Sequence, residues 1–507
     1  MTPRLFLSAA HKSSGKTTVS IGLAAAFAAR GLAVQACKKG PDYIDPMWLA
    51  RASGRPCFNL DFNTQTHAEI AQSVAARAAG ADLALIEGNK GLHDGVDLEG
   101  SDSSAALAKL TAAPVVLVID TLGMTRGVAP LVLGYQVFDP EIKIAGVILN
   151  KVGAARQESK VRQAIERYTG IPVLGALPRD GGFTIEERHL GLMTPMETPA
   201  SRAAIERLRH AIESGVNLDG LLEIAGKAPP LPAVPAVPAV STRQDIRIAI
   251  ARDSAFGFYY SDDLEAFERA GARIVFFDAL SDARLPDADG LFIGGGFPET
   301  QGPRLEANAS LRADIAQKIR GGLPTYAECG GMMYLARSIR WGDTVHEMAG
   351  VIPADAVMHT RPQGRGLAVL EETADAPWPV APSGPASIPA HEFHYASLEN
   401  LDPSLRFAYK VARGTGIGGG RDGIVLGNLL ASFCHLRSTA ANPWVDRFLS
   451  FVRARHARTA NAAQRELAIA DLKTLVERRT AESAAGAVSS KTFDGIVDEE
   501  LREGGAA

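Results

Sequence analysis

Apolar positions along the chain fall into two alternating textures. Short continuous runs rich in Val, Ile and Leu, such as "RLFLSAA", "ADLALIEG", "APVVLVID", "IKIAGVILN" and "IPVLGALP", each end in glycine or polar residues. Between them lie stretches such as "SKVRQAIERYTG", where apolar residues recur at helical spacing. Continuous apolar runs suit strands buried on both faces. Strands alternating with amphipathic helices predict a mostly parallel sheet covered by helices. The second half repeats the pattern: "DIRIAIARD", "ARIVFFDAL", "ADGLFIGGG" and "GLPTYAEC" predict strands, and "SDDLEAFERAG" and "RADIAQKIRGG" predict helices. Two doubly wound, mostly parallel α/β domains are therefore expected.

A proline-rich stretch, "KAPPLPAVPAVPAVSTRQD", interrupts these textures at residues 227–245. Repeated Pro-Ala-Val favours an extended spacer without a core of its own. The expected organisation is a domain at 1–226, a linker at 227–245, a second domain at 246–455 and a tail at 456–507. In the tail, Ala468, Leu472, Leu475 and Val476 share one helical face, which reads either as a docking face for the body or a partner or as part of a dispensable extension. The small, polar residues that follow predict a poorly ordered end.

The bulk composition narrows the function classes. The chain has 507 residues, 46% apolar and 22% charged, as in an ordinary globular protein. A net charge of -4 gives no bias toward nucleic acid or membrane partners. Four cysteines in so long a chain make no disulfide framework and fit a reducing cytoplasm. No stretch reaches the ~18 apolar residues of a spanning helix.

The first candidate chemistry follows the first predicted strand. "AAHKSSGKTTV" fits x-x-x-x-x-Gly-Lys-[Ser/Thr] from Ala10 to Thr17, between a strand and a helix. Backbone N–H groups of such a loop, with Gly15 at its turn, hold phosphate oxygens. Lys16 reaches the outer phosphates, and the Thr17 hydroxyl sits on Mg²⁺. The competing reading is a polar helix cap, and Ala10 departs from the glycine that usually opens the motif. Carboxylates follow at other strand ends: Asp42 and Asp45 around Tyr43 in "KKGPDYIDP", and Glu87 and Asp94 in "LALIEGNKGLHDG". Ligands of open α/β sheets bind outside the carboxyl ends of the strands, which suits these acids to metal or substrate. Taken singly, each is as readily a turn residue. His11 and His93 are too isolated to argue for zinc.

The second candidate is Cys329 in "PTYAECGGMMYL". A buried small hydrophobe is one reading. The other is a nucleophile on a sharp strand-to-helix turn, with Gly330 and Gly331 giving room and the helix N-terminus favouring the thiolate. Gly294, Gly295 and Gly296 in "LFIGGGFPE" offer backbone N–H groups for an oxyanion. His435 in "GNLLASFCHLRS" is the candidate base, with His391 and His394 of "PAHEFHYAS" as alternatives. Cys434 lacks the glycine turn.

With these residues in view, the second domain resembles class I glutamine amidotransferases of the cobyric acid synthase kind, through "GGGFPE", "AECGG" and "HEFHY". The first resembles the ATP-binding domain of dethiobiotin synthetase-like ligases. Together with "KKGPDYIDP", "EGNKGLHDG", "GVILNKV" and "RHLGL", they resemble the cobyrinic acid a,c-diamide synthases over about residues 4–450. The resemblance implies glutamine hydrolysis through a cysteine thioester, with Cys329 as nucleophile, His435 as base, and Gly295 and Gly296 as oxyanion donors. It implies ATP-dependent phosphorylation of a tetrapyrrole carboxylate, which ammonia then converts to an amide. Gly15, Lys16, Thr17 and Thr18 then bind ATP; Thr17, Glu87 and Asp45 bind Mg²⁺; Asp42, Tyr43, Asp94 and Lys90 face substrate. The implied partners are glutamine and a carboxylated tetrapyrrole, and a homodimer is left open.

Two further departures stand out besides Ala10. Ordinary class I glutaminases carry an acid two residues after the histidine, where this chain has Arg437, so what orients His435 is unassigned. Asn89 and Lys90 occupy positions that are usually apolar. The ring stays open among cobyrinate, siroheme and nickel sirohydrochlorin. Readings of another class are a partition-type nucleotide switch, which needs neither Cys329 nor His435, and a degenerate amidotransferase that senses glutamine or tetrapyrrole.

Overall fold

The computed structural model describes residues 3–183, 185, 187–188, 191–198, 200–231, 244–380 and 387–484. They form two compact units, Met1–Ser450 and Phe451–Ala507.

The first unit holds two large sheets. The first consists of β1 (Arg4–Ala9), β2 (Val34–Lys39), β3 (Phe58–Leu60), β4 (Leu83–Glu87), β5 (Val115–Asp120), β6 (Ile144–Val152) and β7 (Val173–Pro178). Their order is β3-β2-β4-β1-β5-β6-β7, and every pairing is parallel. The predicted apolar runs are these buried strands, as expected for a sheet covered on both faces. Leu7 of β1 lies beside Glu87 of β4, so both strands end at the same edge. There the chain turns into α1 (Lys16–Ala29). The helix Ser201–Gly215 covers α1 closely: a Cβ on Gly22 would come within 2.6 Å of Ile212 and 2.9 Å of the Leu208 carbonyl oxygen.

The second sheet comprises β8 (Ile246–Ala251), β9 (Ala272–Phe277), β10 (Gly290–Ile293), β11 (Thr325–Glu328), β12 (Gly364–Glu372), β13 (Ser387–His394), β14 (Arg406–Arg413), β15 (Arg421–Leu426) and β16 (Leu429–Ser432). Its order is β9-β8-β10-β11-β16-β15-β14-β12-β13. From β9 to β16 the pairings are parallel. From β16 outward they are antiparallel, an extension the apolar runs did not announce. The reason lies in burial: β12 and β14 mix buried and exposed positions, so neither reads as a continuous run.

Hydrogen bonds join the two halves of this unit. Asn63 Nδ2 donates to the Ala390 carbonyl at 3.0 Å, and Ala440 N donates to Glu69 Oε1 at 2.8 Å. Arg77 pairs with Glu265.

The helix α3 (Trp444–Ala484) runs without a break through the expected domain boundary at 455/456. In its second-unit part Leu472, Leu475 and Val476 are 53%, 42% and 56% exposed, so the predicted apolar face is open. The expected linker lies largely outside the described residues, as do the Ala468 side chain and the end of the tail.

At its start, α3 supplies Trp444 to an aromatic cluster with Phe267, Phe292, Tyr326 and Trp378, with ring centroids 4.9–6.0 Å apart from Trp444. Its indole N–H donates to Asp263 Oδ2 at 3.0 Å. Trp444→Ala should cost about 3–5 kcal/mol through cavity formation and the orphaned Asp263. Urea unfolding followed by tryptophan fluorescence tests this; an unchanged midpoint would show that the cluster does not anchor the second sheet.

Candidate active site

The loop after β1 is held in shape by its neighbours. Ser13 and Gly15 take positive φ, 65° and 86°. A side chain at Gly15 is excluded twice, by this φ and by Asn150, whose Nδ2 would lie 2.0 Å from a Cβ there. Asn150 Nδ2 donates to the Ser14 carbonyl at 2.9 Å, and Lys151 Nζ to the Ser13 carbonyl at 2.9 Å. Both clamping residues end β6 and lie in "GVILNKV". They went unassigned because neither residue type by itself marks a phosphate loop.

Lys16, Thr17, Asp45 and Glu87 meet at this edge. Thr17 Oγ1 donates to Glu87 Oε1 at 2.7 Å and to Asp45 Oδ2 at 3.2 Å. Lys16 Nζ lies 3.4 Å from Glu87. A further residue, Lys38 at the end of β2, sits between the carboxylates, 2.8 Å from Glu87 and 2.6 Å from Asp45. Burial opposes ionisation of Glu87, but Lys38 and Lys16 outweigh it and hold its pKa near 2. Burial and the adjacent Asp45 carboxylate push Asp42 up to about 7. Asp42 also accepts from Asp45 N at 3.1 Å, capping the start of α2 (Ile44–Ser53).

Among the described residues, no three or more His, Cys, Asp and Glu side chains are grouped to hold a metal. Glu87 Oε2 is nevertheless buried without a hydrogen-bond partner, beside the Thr17 hydroxyl. Such hard oxygen donors fit Mg²⁺.

A cleft of ≈ 930 Å³ opens over this edge. The loop Lys12–Thr18, Lys38, Asp42, Asp45, Asn89 and Lys90 line it from one side. Arg365, Phe393 and Tyr395 of the second half complete it. Two residues expected to face substrate lie elsewhere. Asp94 accepts from Gly91 N at 2.9 Å and closes its own loop. The Tyr43 ring turns away from the cleft and is buried against Phe258, Tyr260 and His435.

The second site is built at the end of β11. Cys329 has φ 46° and ψ −104°, a conformation that L-residues rarely adopt. The turn leads into a short helix, Gly330–Leu335. Close packing demands both glycines: a Cβ on Gly331 would lie 2.1 Å from the Ile293 carbonyl, and one on Gly330 3.0 Å from Gly296 N. The Gly295 position is equally tight, 2.6 Å from His435 Cε1. Gly295 and Gly296 form a short ladder with Phe256–Phe258, next to the cysteine turn.

His435 is buried, and the Cys329 side chain interacts with its ring. Its orienting partner is Glu328, the residue just before the cysteine: Oε2 lies 3.3 Å from His435 Nδ1. The other oxygen of Glu328 accepts from Tyr326 Oη at 2.6 Å and from Leu436 N at 2.9 Å. Burial works against protonated His435, but Cys329 and Glu328 outweigh it and raise its pKa to about 10. The "AEC" sequence held this signal, but an acid was expected after the histidine rather than before the cysteine.

The competing residues have other surroundings. Burial, reinforced by Asp422 and Glu392, pushes the Cys434 thiol well up, which disfavours its thiolate. His391 stacks on His435 at 5.0 Å; burial and that neighbour hold it well below the usual histidine range. His394 Nδ1 donates to the Ala396 carbonyl at 2.7 Å, and its ring stacks on Phe433.

A phosphate-loop sheet and a cysteine–histidine–glutamate site on a second α/β sheet define a nucleotide-binding glutamine amidotransferase. Residues 8–192 match the CobQ/CobB/MinD/ParA nucleotide binding domain, and residues 247–443 the CobB/CobQ-like glutamine amidotransferase domain. The chain is 45% identical to a cobyrinate a,c-diamide synthase of Magnetococcus marinus, covering 89% of this chain and 98% of the relative. It is 41% identical to one of Methanosarcina acetivorans (86% and 93%) and 39% identical to one of Archaeoglobus fulgidus (88% and 97%). The chain belongs to the cobyrinate a,c-diamide synthase family.

Glu328→Gln should lower glutamine hydrolysis on the order of 10²-fold. Because Glu328 raises the His435 pKa, its loss should also move the alkaline limb of the pH–rate profile to lower pH. An unchanged rate with an unchanged profile would remove Glu328 from the site.

Proposed function

We propose that the chain amidates the a and c acetate groups of cobyrinate, using ATP and glutamine. The observation that carries this reading is the two-sided cleft. The phosphate loop and the Asp42–Asp45 turn form one wall, and the amidotransferase half contributes Arg365, Phe393 and Tyr395. The lining holds seven cations, among them Lys12, Lys90, Arg179 and Arg365, against three acids. That balance favours a polycarboxylate, and the aromatic pair offers a flat ring a surface to stack on.

The chemistry proceeds in two places. The Cys329 thiolate attacks the glutamine carboxamide carbon, and backbone N–H groups at Gly295 and Gly296 receive the developing oxyanion. Protonated His435 gives its proton to the departing ammonia. His435 then takes a proton from the water that opens the thioester, which releases glutamate. In the cleft, a substrate carboxylate oxygen attacks the terminal phosphorus of ATP and ADP leaves. Lys16, Thr18 and the loop N–H groups steady the phosphates. Ammonia then adds to the acyl carbon and phosphate departs, leaving the amide. Each amide thus consumes one ATP and one glutamine. A carboxylate resists ammonia until phosphorylation supplies a leaving group, so the two sites serve one product.

Thr17, Glu87 and Asp45 would hold Mg²⁺, which supplies positive charge to the phosphates. Lys90, which lines the cleft, would meet a ring carboxylate. The domain division at residues 1–226 and 246–455 follows the same assignment of chemistry.

Cys329→Ser should abolish glutamine-dependent amidation while sparing ammonia-dependent amidation; loss of neither would end the assignment of the nucleophile. Lys16→Ala should remove both, by at least about 10²-fold if phosphate stabilisation is lost. Mass spectrometry of products from cobyrinate, hydrogenobyrinate, siroheme and nickel sirohydrochlorin, offered in parallel, tests the ring. Two amides on cobyrinate or hydrogenobyrinate are expected, and reaction of siroheme alone would reassign the substrate.

A further inference from the structure

Arg437 occupies the position two after His435, and it takes no part in the chemistry above. It is 1% exposed. Its Nη2 crosses to the other half of the unit and donates to the Asn59 carbonyl at 2.6 Å. Nε and Nη2 also reach Asp262 Oδ2, at 3.2 and 2.6 Å, and the guanidinium lies over the Tyr260 ring, 4.9 Å from its centre.

Asn59 carries the connection onward. Its Nδ2 donates to the carbonyls of Gly40 and Asp42, at 2.8 and 2.7 Å. It therefore fixes the turn that presents Asp42 and Asp45 to the cleft. The next residue of that turn, Tyr43, sets its ring 4.7 Å from Tyr260 and 5.2 Å from His435. The contacts form a closed circuit: His435, Leu436, Arg437, Asn59, Asp42, Tyr43 and back to His435. Every member is buried except Asp42, which is half-buried at the cleft wall. Close-packed interiors transmit displacement instead of absorbing it.

We propose that Arg437 and Asn59 are positioning residues that tie the carboxylate-bearing turn of the nucleotide cleft to the glutaminase histidine, so that glutamine hydrolysis follows the state of the cleft. The inference rests on the function proposed above. It explains why an arginine stands where an acid is usual: Glu328 already orients His435, which leaves this position for a bond between the halves. Arginine suits it because one planar group satisfies a carboxylate, a carbonyl and an aromatic face together.

The test compares the full chain with Arg437→Met, with the double variant Arg437→Met/Asp262→Asn, and with Arg437→Lys. The double variant removes the carboxylate that the first leaves without its partner. With ATP, Mg²⁺, cobyrinate and either glutamine or ammonia, one measures glutamate released and amide formed. In the full chain, glutamate and amide should appear in a ratio near one. In both methionine variants, glutamate release and ammonia-dependent amidation should persist, while glutamate per amide rises at least about five-fold, the lower end of ordinary coupling between sites. Arg437→Lys should fall between. A ratio that stays near one in the double variant, with both half-reactions active, would overturn the proposal alone. No amide from the full chain with ammonia would overturn the functional reading beneath it.

Discussion

An ionised carboxylate at the end of a buried parallel strand has to bring its counter-charge with it. Both sites obey this constraint. Glu87 closes β4 and Glu328 closes β11, and each is almost fully buried. Desolvation opposes the charge of Glu87. Glu87 is held by Lys38, Lys16 and the Thr17 hydroxyl. Glu328 is held by His435, Tyr326 and the backbone N–H of Leu436. The same arrangement that makes each charge tolerable also places it beside the reacting groups, so stability and chemistry share their contacts.

The glycines follow from the same demand. To bring Cys329 next to the histidine that follows β16, the chain must turn within one residue, at φ 46°, and lay Gly330 and Gly331 directly on the backbone of the neighbouring strand ends. The strain at Cys329 persists because its own N–H is fixed to the Ser432 carbonyl at 2.7 Å. At the other site, Gly15 does comparable work under Asn150. Each reactive lysine or cysteine thus stands on a turn whose shape is set by a residue far away in sequence.

Much of this was legible in the order of residues. Continuous apolar runs gave the parallel strands, because a strand buried on both faces has no polar alternation to hide it. Gly15, Lys16 and Thr17 were readable because a phosphate loop needs a fixed spacing between strand and helix. Cys329 was readable because glycine pairs beside a lone cysteine are uncommon in plain core. Lys38, Asn150, Lys151 and Glu328 were not, since each owes its place to strand register rather than to a local pattern. The resemblance implied that Tyr43 and Asp94 face substrate, but the backbone turns the Tyr43 ring inward and Asp94 closes its own loop. The antiparallel strands β12 to β15 escaped for the opposite reason to the parallel ones: partial exposure breaks up their apolar pattern.

The charge of the whole chain is a poor guide to what it binds. Its formal net charge is -4, yet the cleft is lined by more cations than acids. Those cations arrive on separate loops: Lys12 follows β1, Lys90 follows β4, Lys151 ends β6, Arg179 follows β7 and Arg365 comes from β12. Several positive loops brought together repel one another until an anion fills the space between them. A ligand with carboxylates around a ring would relieve that repulsion at many points at once, where a single phosphate could meet only the loop and Lys16. The same reasoning accounts for the second half's presence in the cleft wall. Arg365 and the ring of Phe393, which it covers at 5.3 Å, extend the surface beyond what a nucleotide needs. The amidotransferase half therefore lines this cleft as well as carrying the Cys329 turn, and the two sheets share one compact unit.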